Sequence, residues 1–313
     1  MKKEKSHLLG DAFIVLIMMV ALAVFLYAGA RLLGFYKEYQ TGSKEYDNLE
    51  ASYSTGQPQD GPDSFDSLED DAALSQLQQE VEGTGEAGIG TVQKVNGRFM
   101  VTAEENGTVK ALPTMNNPID FEELKAINPD ICGWLRIRAI DISYPLVQGE
   151  DNEYYLHRTF EQTANFAGCL FLNAENKTDF TDQNTIIYGH NMKNGSMFGK
   201  LNTFRDKDVY KKSRYFWIFT PDFIYQYRII SGMVVPEAGD TYRTFFSEDK
   251  FQEFLDTVTR GSELDITGVE VGTEDRVVTL STCTGDNATR FVVIGKLAQV
   301  YVPKDKVKTP ADE

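Results

Sequence analysis

The sequence predicts a mainly β domain that follows one long apolar helix. After residue 130 come about eight runs of 6–13 residues that are rich in β-branched and aromatic side chains. Gly, Asn, Asp or Pro separates them, which is the pattern of strands joined by turns. Few segments among them have helical spacing. We therefore expect a closed or sandwiched β domain of roughly 195 residues.

The apolar run Ala12–Ala30 predicts a membrane anchor. It has 19 residues and no charge, and a helix of that length spans about 28 Å, close to the thickness of a bilayer core. Lysines precede it, so the positive-inside tendency predicts a cytoplasmic segment 1–11, a transmembrane segment 12–34 in the lipid bilayer, and an external remainder. A cleaved signal peptide is the alternative, because Ala28-Gly29-Ala30 resembles a cleavage site, although the apolar run is longer than signal peptides usually have.

The charge of the chain is concentrated after this helix. The formal net charge is −16, and residues 37–90 hold 13 acidic and two basic side chains. Such a balance argues against a nucleic-acid partner, which requires a basic surface. We expect segment 35–117 to be an acidic, largely disordered stalk, because its apolar residues are isolated. A short helix at Ser67–Val81 and a weak hairpin within 91–115 stay open, as does the choice between a spacer and a partner-binding role.

Order is expected from residue 118 to 303, followed by a C-terminal tail at 304–313. Helical spacing occurs at Ile119–Asn128, near Met197–Phe204 and at Ser247–Thr259. The predicted strands have the sequences WLRIRAI, ISYPLVQ, GCLFLN, NTIIYGH, YFWIFT, FIYQYRIISGMVV, RVVTLSTC and RFVVIGKLAQVYV.

Two of these strands bring a cysteine and an arginine together. Cys283 ends RVVTLSTC, and Arg290 opens the next strand after a six-residue loop, so the two strands are expected to be antiparallel neighbours. A nearby guanidinium favours the thiolate and can also bind a developing oxyanion. The alternatives are that Cys283 is a small buried hydrophobic residue and that Arg290 forms a surface salt bridge.

His190 ends another predicted strand, NTIIYGH, at a turn rich in Gly and Asn. Cysteine with histidine is the minimum set for nucleophilic acyl transfer. Taken alone the pair is a weak signal, since a turn histidine often bonds only to backbone. His157 is interpreted as a structural or surface residue, with a second base as the alternative.

The remaining cysteines do not predict a metal or a disulfide framework. The chain has three cysteines and three histidines and no CxxC pair, so neither a zinc site nor a His-rich metal centre is expected. Cys132 and Cys169 lie within apolar runs and are interpreted as buried free thiols. A Cys132–Cys169 disulfide is the alternative, because the predicted compartment is outside the cell.

Several motifs, in the same order along the chain, closely resemble a class B sortase. They are TLSTC at 279–283, the arginine of RFVVIGKL, YGHNM at 188–192, GSMFGKL at 195–201, INPDICGWLRI at 127–137, YPLVQGEDNEYYL at 144–156 and GCLFLNAENK at 168–177. The resemblance covers about residues 118–302 and includes the N-terminal anchor. It implies an eight-stranded sortase-type β-barrel with an N-terminal helical element and a helix before the catalytic strand.

The resemblance also implies an activity. Sortases are extracellular, membrane-anchored cysteine transpeptidases of Gram-positive bacteria. Cys283 would attack the carbonyl of a threonine in a C-terminal sorting signal, Arg290 would hold the oxyanion, and His190 would be the acid and base. An amine of the cell-wall precursor would then accept the acyl group. The resemblance implies neither a metal nor any other cofactor.

The resemblance assigns five further residues to the substrate groove: Asn152, Leu156, Tyr188, Ser281 and Thr282. Tyr188 and Ser281 each lie two residues before a catalytic residue, and residues i and i−2 of a strand share a face. Ordinary barrel packing is the alternative for Tyr188 and Leu156. The segment around 210–265 corresponds to the specificity region, whose pocket shape the sequence does not reveal.

Several functions stay open within this resemblance. The partner proteins would carry a sorting signal of Asn-Pro-x-Thr-x or Pro-x-Thr-Gly type. A pilin-polymerising sortase would use a lysine of another pilin as its nucleophile, and a thiol protease or hydrolase would use water. A silent, membrane-tethered binding module is the third class, and the presence of all three catalytic residue types argues against it.

Overall fold

The computed structural model describes residues 2–54, 92–95, 98–105, 108–286 and 288–307. It divides into two compact units, residues 1–45 and 46–313. The possible helix at Ser67–Val81, most of the expected stalk and the end of the expected tail lie outside the described residues.

Helix α1 (Lys2–Tyr53) provides the first unit as far as residue 45. From Ile14 to Tyr36 its large apolar side chains are exposed. The helix is long and apolar enough to cross a membrane. This agrees with an anchor at the predicted position, although the helix continues well beyond residue 34.

The structure differs from the expected stalk at its N-terminal end. Residues 46–53 of α1 belong to the second unit, where Tyr46 and Leu49 are buried, with 4% and 3% exposure. The Tyr46 hydroxyl donates a hydrogen bond to the Gly168 carbonyl at 2.6 Å, and its ring meets Tyr144 edge-on at 5.3 Å. Tyr46 and Leu49 are three residues apart and share a helix face, so two apolar residues that are isolated in sequence bury together.

The C-terminal end of the expected stalk also carries structure. Strands β1 (Val92–Val95), β2 (Arg98–Glu105) and β3 (Thr108–Met115) pair antiparallel in that order. The end of β3 then pairs in parallel with the last strand of the chain. A segment with only a weak hairpin signal thus extends the main sheet.

Eight further strands close into a barrel. They are β4 (Ile131–Ile137), β5 (Ile142–Val147), β6 (Leu170–Leu172), β7 (Asn184–Tyr188), β8 (Tyr215–Phe219), β9 (Ile224–Pro236), β10 (Val277–Cys283) and β11 (Thr289–Pro303). Their order is β11-β10-β7-β6-β5-β4-β8-β9, and pairing of β9 with β11 closes the ring. Neighbours are antiparallel except β5 with β6 and β7 with β10. The predicted eight-stranded barrel is confirmed, and each of the eight predicted runs overlaps one strand.

Alternation along β10 and β11 separates an interior from an outer face. On the outer face, Val277, Val292 and Ile294 pack against helix α4 (Glu248–Arg260) through its buried phenylalanines and aliphatic residues. The alternate residues Val278 and Val293 face the barrel core and are fully buried. The predicted helix at Ser247–Thr259 is therefore present, shifted by one residue.

Of the other two predicted helices, one forms inside its predicted segment and one is replaced by a 3₁₀ turn and a later short helix. Helix α2 (Phe121–Ile127) forms inside the predicted segment, and Asp120 caps it by accepting a hydrogen bond from the Glu123 backbone at 3.0 Å. Near Met197–Phe204 the structure has a 3₁₀ turn at Leu201–Arg205, followed by helix α3 (Lys207–Lys212). A Cβ at Gly199 would lie 2.2 Å from the backbone oxygen of Met192, so this part of the chain packs closely against the turn that precedes it.

Candidate active site

Cys283 and Arg290 are directly opposed across two strands. Cys283 is the last residue of β10, and its cross-strand partner on β11 is Arg290. Directly opposed residues of an antiparallel pair point to the same face, with Cβ atoms about 4.5–5.5 Å apart. The short loop thus makes Cys283 and Arg290 antiparallel neighbours, as the sequence predicts, and Cys283 is half-buried.

His190 lies on the other side of Cys283. Strand β7 pairs in parallel with β10 as far as Ser281, and continuing the same register places His190 beside Cys283. The Gly189 backbone donates to the Ser281 carbonyl at 3.2 Å, and the Asn191 side chain donates to the Cys283 carbonyl at 2.7 Å. Two hydrogen bonds therefore tie the turn that carries the histidine to the strand that carries the cysteine.

A backbone carbonyl fixes the tautomer of His190. Its Nε2 lies 2.8 Å from the carbonyl oxygen of Leu156, which is in the 3₁₀ turn Tyr154–His157. A carbonyl oxygen only accepts, so Nε2 carries the proton in this arrangement. In the neutral ring Nδ1 is then the atom with a lone pair, and proton transfer falls to Nδ1.

The surroundings of His190 favour its neutral form. Burial is the main cause that lowers the pKa of His190, and the hydrogen bond to Leu156 partly opposes it. The exposed His157 contributes a smaller lowering, because its ring stacks on His190 with 6.1 Å between centroids and 27° between planes. Two neighbouring imidazoles disfavour a double positive charge.

Arg290 is held by one carbonyl and one carboxylate. Its Nη1 donates to the carbonyl of Thr289 at 3.0 Å, and its Nη2 donates to Glu237 Oε2 at 3.0 Å. The arginine side chain is 25% exposed and the glutamate 54%. The salt-bridge interpretation of Arg290 is thus correct as geometry, and it places a positive charge next to Cys283 at the same time.

Two tyrosines line the same face as Cys283. Tyr188 and Tyr242 stack with 6.2 Å between ring centroids and 13° between planes. The Tyr242 hydroxyl shares a 2.9 Å hydrogen bond with Ser281 Oγ, and Asn173 donates to the Tyr188 hydroxyl at 3.1 Å. Burial raises the pKa of Tyr242 to about 12 and also raises that of Tyr188. Both phenols are therefore neutral hydrogen-bonding groups at physiological pH.

A buried amide holds Tyr242 in place. Asn184 Nδ2 donates to the carbonyls of Thr241 at 3.0 Å and Arg243 at 2.8 Å, the residues on either side of Tyr242. Asn184 Oδ1 accepts from Thr279 at 2.8 Å, so the amide is fully used. Sequence reasoning did not single out Tyr242, because it lies in the 210–265 segment and belongs to no motif there.

The predicted groove residues separate into two groups. Tyr188 and Ser281 lie on the face of Cys283 and His190. Leu156 is half-buried, and it reaches the site through its carbonyl oxygen. Asn152 is exposed, and its side-chain oxygen accepts a hydrogen bond from the Ala174 backbone at 2.8 Å.

Thr282 does not share the face of the site. Strand alternation points its side chain opposite to those of Ser281 and Cys283, and it is only 2% exposed. Its hydroxyl is buried without a hydrogen-bond partner in the described part of the chain. The structure therefore does not bring the Thr282 side chain to the predicted groove.

The other two cysteines are free and buried. Their thiols contact carbonyl oxygens, Cys132 that of Leu146 at 3.4 Å and Cys169 that of Pro145 at 3.8 Å. Burial, with Cys169 nearby, raises the pKa of Cys132 far above its usual value. The interpretation as buried free thiols is confirmed. In the described residues no group of three or more His, Cys, Asp or Glu is arranged to hold a metal ion.

Comparisons with known proteins agree with this geometry. A family model described as the Sortase domain matches residues 135–298. Sortase B of Listeria monocytogenes is 37% identical over 189 residues, which are 57% of this chain and 74% of that protein. A Staphylococcus aureus sortase B–substrate complex is similar with a TM-score of 0.54 and 31% identity, over 57% of this chain and 84% of that one. Clostridium perfringens sortase B is similar with a TM-score of 0.55 and 29% identity, over 57% and 100%. The chain belongs to the sortase family of cysteine transpeptidases, and these relatives are of class B.

Proposed function

We propose that this chain is a membrane-anchored transpeptidase that cleaves a C-terminal sorting signal after threonine and transfers the acyl group to an amine of the cell-wall precursor. One observation supports the proposal: Arg290 is the cross-strand partner of Cys283, and His190 follows strand β7, which pairs with the strand of Cys283 on its other side. Nucleophile, acid–base and oxyanion donor are the three parts that acyl transfer needs.

The acylation step uses all three residues. The Cys283 thiolate forms a bond to the threonine carbonyl carbon, and the carbonyl π electrons move to oxygen. Arg290 stabilises that oxyanion. When the tetrahedral intermediate collapses, the C–N bond breaks and the leaving amine takes the proton from Nδ1 of the His190 imidazolium. The products are a Cys283 thioester and a free amine on the departing peptide.

The second step reverses these roles. An incoming amine attacks the thioester, neutral His190 accepts its proton at Nδ1, and the thiolate leaves. The lowered pKa of His190 suits this base role. It also makes the imidazolium a minority form at neutral pH, so only a fraction of the enzyme is ready for acylation at any moment.

The location follows from the helix and the charges around it. With the N-terminal lysines on the cytoplasmic side, the barrel lies outside the cell, where sorting signals and cell-wall amines are found. The partner proteins carry signals of Asn-Pro-x-Thr-x or Pro-x-Thr-Gly type. The stacked rings of Tyr188 and Tyr242 form an apolar surface, and their hydroxyls bond to Asn173 and Ser281, respectively. Such a surface, apolar with polar groups at its edge, suits a proline-containing peptide.

The experiment is a two-stage mass measurement on the full chain in detergent micelles. Purified protein is incubated with peptides of both signal types, first without an amine and then with either a short oligoglycine or a lysine-containing peptide. Intact mass reads the thioester, and peptide mass reads the product. Cys283→Ala is the test variant, and Cys169→Ala is the matched control, because it removes a buried thiol outside the site.

We expect a thioester adduct on the wild type and on Cys169→Ala, none on Cys283→Ala, and an amine-linked product after oligoglycine is added. Hydrolysed peptide as the sole product with every amine tried would favour the hydrolase alternative. A preference for a lysine side chain as the acceptor would favour the pilin-polymerising alternative. Absence of an adduct on the wild type with both peptide types would overturn the proposal.

A further inference from the structure

We propose that Glu237 is a positioning residue for this reaction, and that it acts by fixing the guanidinium of Arg290 and offsetting part of its charge. The inference rests on the proposed role of Arg290. Glu237 belongs to none of the sortase-like motifs in the sequence, and it lies 53 residues before its partner.

The barrel closure explains how Glu237 reaches the site. Strand β11 lies between β10, which carries Cys283, and β9, whose Val235 is the cross-strand partner of Arg290. Glu237 follows the last residue of β9, and its backbone N–H donates to the Ala288 carbonyl at 3.1 Å. Its backbone is therefore tied to the loop that joins Cys283 to Arg290.

The contacts of Arg290 fix the plane of its guanidinium. Arginine has a long, flexible side chain, and its planar guanidinium can bind an oxyanion in a defined geometry only when its orientation is fixed. The Thr289 carbonyl holds Nη1 at 3.0 Å, and the Glu237 carboxylate holds Nη2 at 3.0 Å. The carboxylate comes from the β9 side and the thiol from the β10 side, so Glu237 holds the guanidinium from the side opposite Cys283.

The same contact also changes the electrostatic potential at Cys283. A carboxylate 3.0 Å from the guanidinium cancels part of its field. Removal of the negative charge alone leaves Arg290 more strongly positive towards the thiol. Other ionisable groups near this corner, among them His190, Tyr188, Tyr242 and the Glu175 carboxylate near Tyr188, are unchanged by the substitution. A change in thiol reactivity can therefore be assigned to the Glu237–Arg290 pair.

Two substitutions at Glu237 distinguish its effect on the position of the Arg290 guanidinium from the effect of its negative charge. Glu237→Gln keeps a hydrogen-bonding group of similar shape and removes the charge, whereas Glu237→Ala removes both. Glu237 is 54% exposed, so neither substitution disturbs the core. The matched control is Glu263→Ala, because Glu263 forms a similarly exposed ion pair with Arg205 at 2.8 Å rather than with Arg290.

The first readout is alkylation of Cys283 by iodoacetamide as a function of pH, in the full chain in detergent micelles. The buried Cys132 and Cys169 give little background. We expect the Glu237→Gln profile to move to lower pH, because an uncompensated guanidinium favours the thiolate. In an Arg290→Ala background the same substitution is expected to have no effect, since the charge it acts through is gone.

The second readout is transpeptidation of a sorting-signal peptide. We expect Glu237→Ala to lower kcat about tenfold with KM little changed, Glu237→Gln to fall between it and the wild type, and Glu263→Ala to match the wild type. A loss of kcat in Glu237→Ala that Glu237→Gln partly restores supports the inference.

Wild-type alkylation profiles and kcat in both Glu237 variants would overturn the inference, as would a Glu237→Gln shift that persists without Arg290. The alkylation readout needs no peptide substrate. A chain that forms no thioester would therefore contradict the proposed function while still reporting whether Glu237 and Arg290 act on Cys283.

Discussion

The two sides of Cys283 are built by different means. On the His190 side the contacts are made to backbone groups: the Leu156 carbonyl holds the ring, and Asn191 holds the Cys283 carbonyl. On the Arg290 side the main contact is an ion pair with Glu237 at the surface. One side is fixed by buried packing and neutral hydrogen bonds, and the other by charge.

This difference predicts different sensitivities. Buried contacts are barely screened by salt, but they tolerate no added volume. An ion pair near the surface contributes little to stability and weakens as ionic strength rises. The histidine side should therefore respond to changes in packing, and the arginine side to changes in charge geometry and salt. Three predictions test this contrast.

The largest effect is expected from Arg290→Lys, which breaks the arginine side. Lysine keeps the positive charge but lacks the planar fork, so it cannot hold Thr289, Glu237 and an oxyanion in one fixed geometry. We expect kcat/KM for the sorting-signal peptide to fall about 100-fold, with an unchanged melting temperature. Arg205→Lys is the matched control at the other Arg–Glu pair. A loss below about threefold would show that charge alone is sufficient.

A smaller effect is expected from Gly189→Ala, which breaks the histidine side. A Cβ at Gly189 would lie 2.4 Å from the Leu170 side chain and 2.7 Å from that of Phe198. We expect a loss of about 1–3 kcal/mol in the free energy of unfolding, measured by denaturant titration. We also expect kcat to fall about tenfold, because His190 is the next residue and moves with the backbone. If the loss in kcat changes strongly between low and high salt, the contrast between the two sides is wrong.

The smallest effect is expected from His157→Asn, which sharpens the description of the histidine side. Removal of the stacked imidazole removes the repulsion between two positive rings, so His190 keeps its proton to a higher pH. Burial, the main cause of the lowered pKa, remains. We expect the pKa of His190, followed by NMR of its ring protons, to rise. A fall in that pKa would contradict the assigned sign.

The fold and the three proposed catalytic positions could be predicted from the sequence for a physical reason. Alternating β-branched runs identify strands locally, and Cys283 and Arg290 are close in sequence, so a short loop is enough to pair them. The orientation of Thr282 could also have been predicted, because strand alternation alone points its side chain away from the face of Cys283. Its assignment to the groove came from the resemblance. Glu237 and Tyr242 could not be found in this way, because barrel closure and the buried Asn184 amide bring them to residues that lie 53 and 39 positions away in the sequence.

The packing of Tyr46 decides where a soluble form of this enzyme should begin. Tyr46 donates to the Gly168 carbonyl, and a Cβ at Gly168 would come 2.6 Å from the Leu156 oxygen that receives the His190 proton donor. A fragment that starts in the acidic segment after residue 54 would expose the Tyr144 ring and leave the Gly168 carbonyl bonded to water. Gly168 lies beside the Leu156 carbonyl, which in turn accepts the hydrogen bond from His190. A fragment that starts a few residues before Tyr46 keeps this support while omitting the apolar part of the helix, and is the better choice for crystallisation or inhibitor screening.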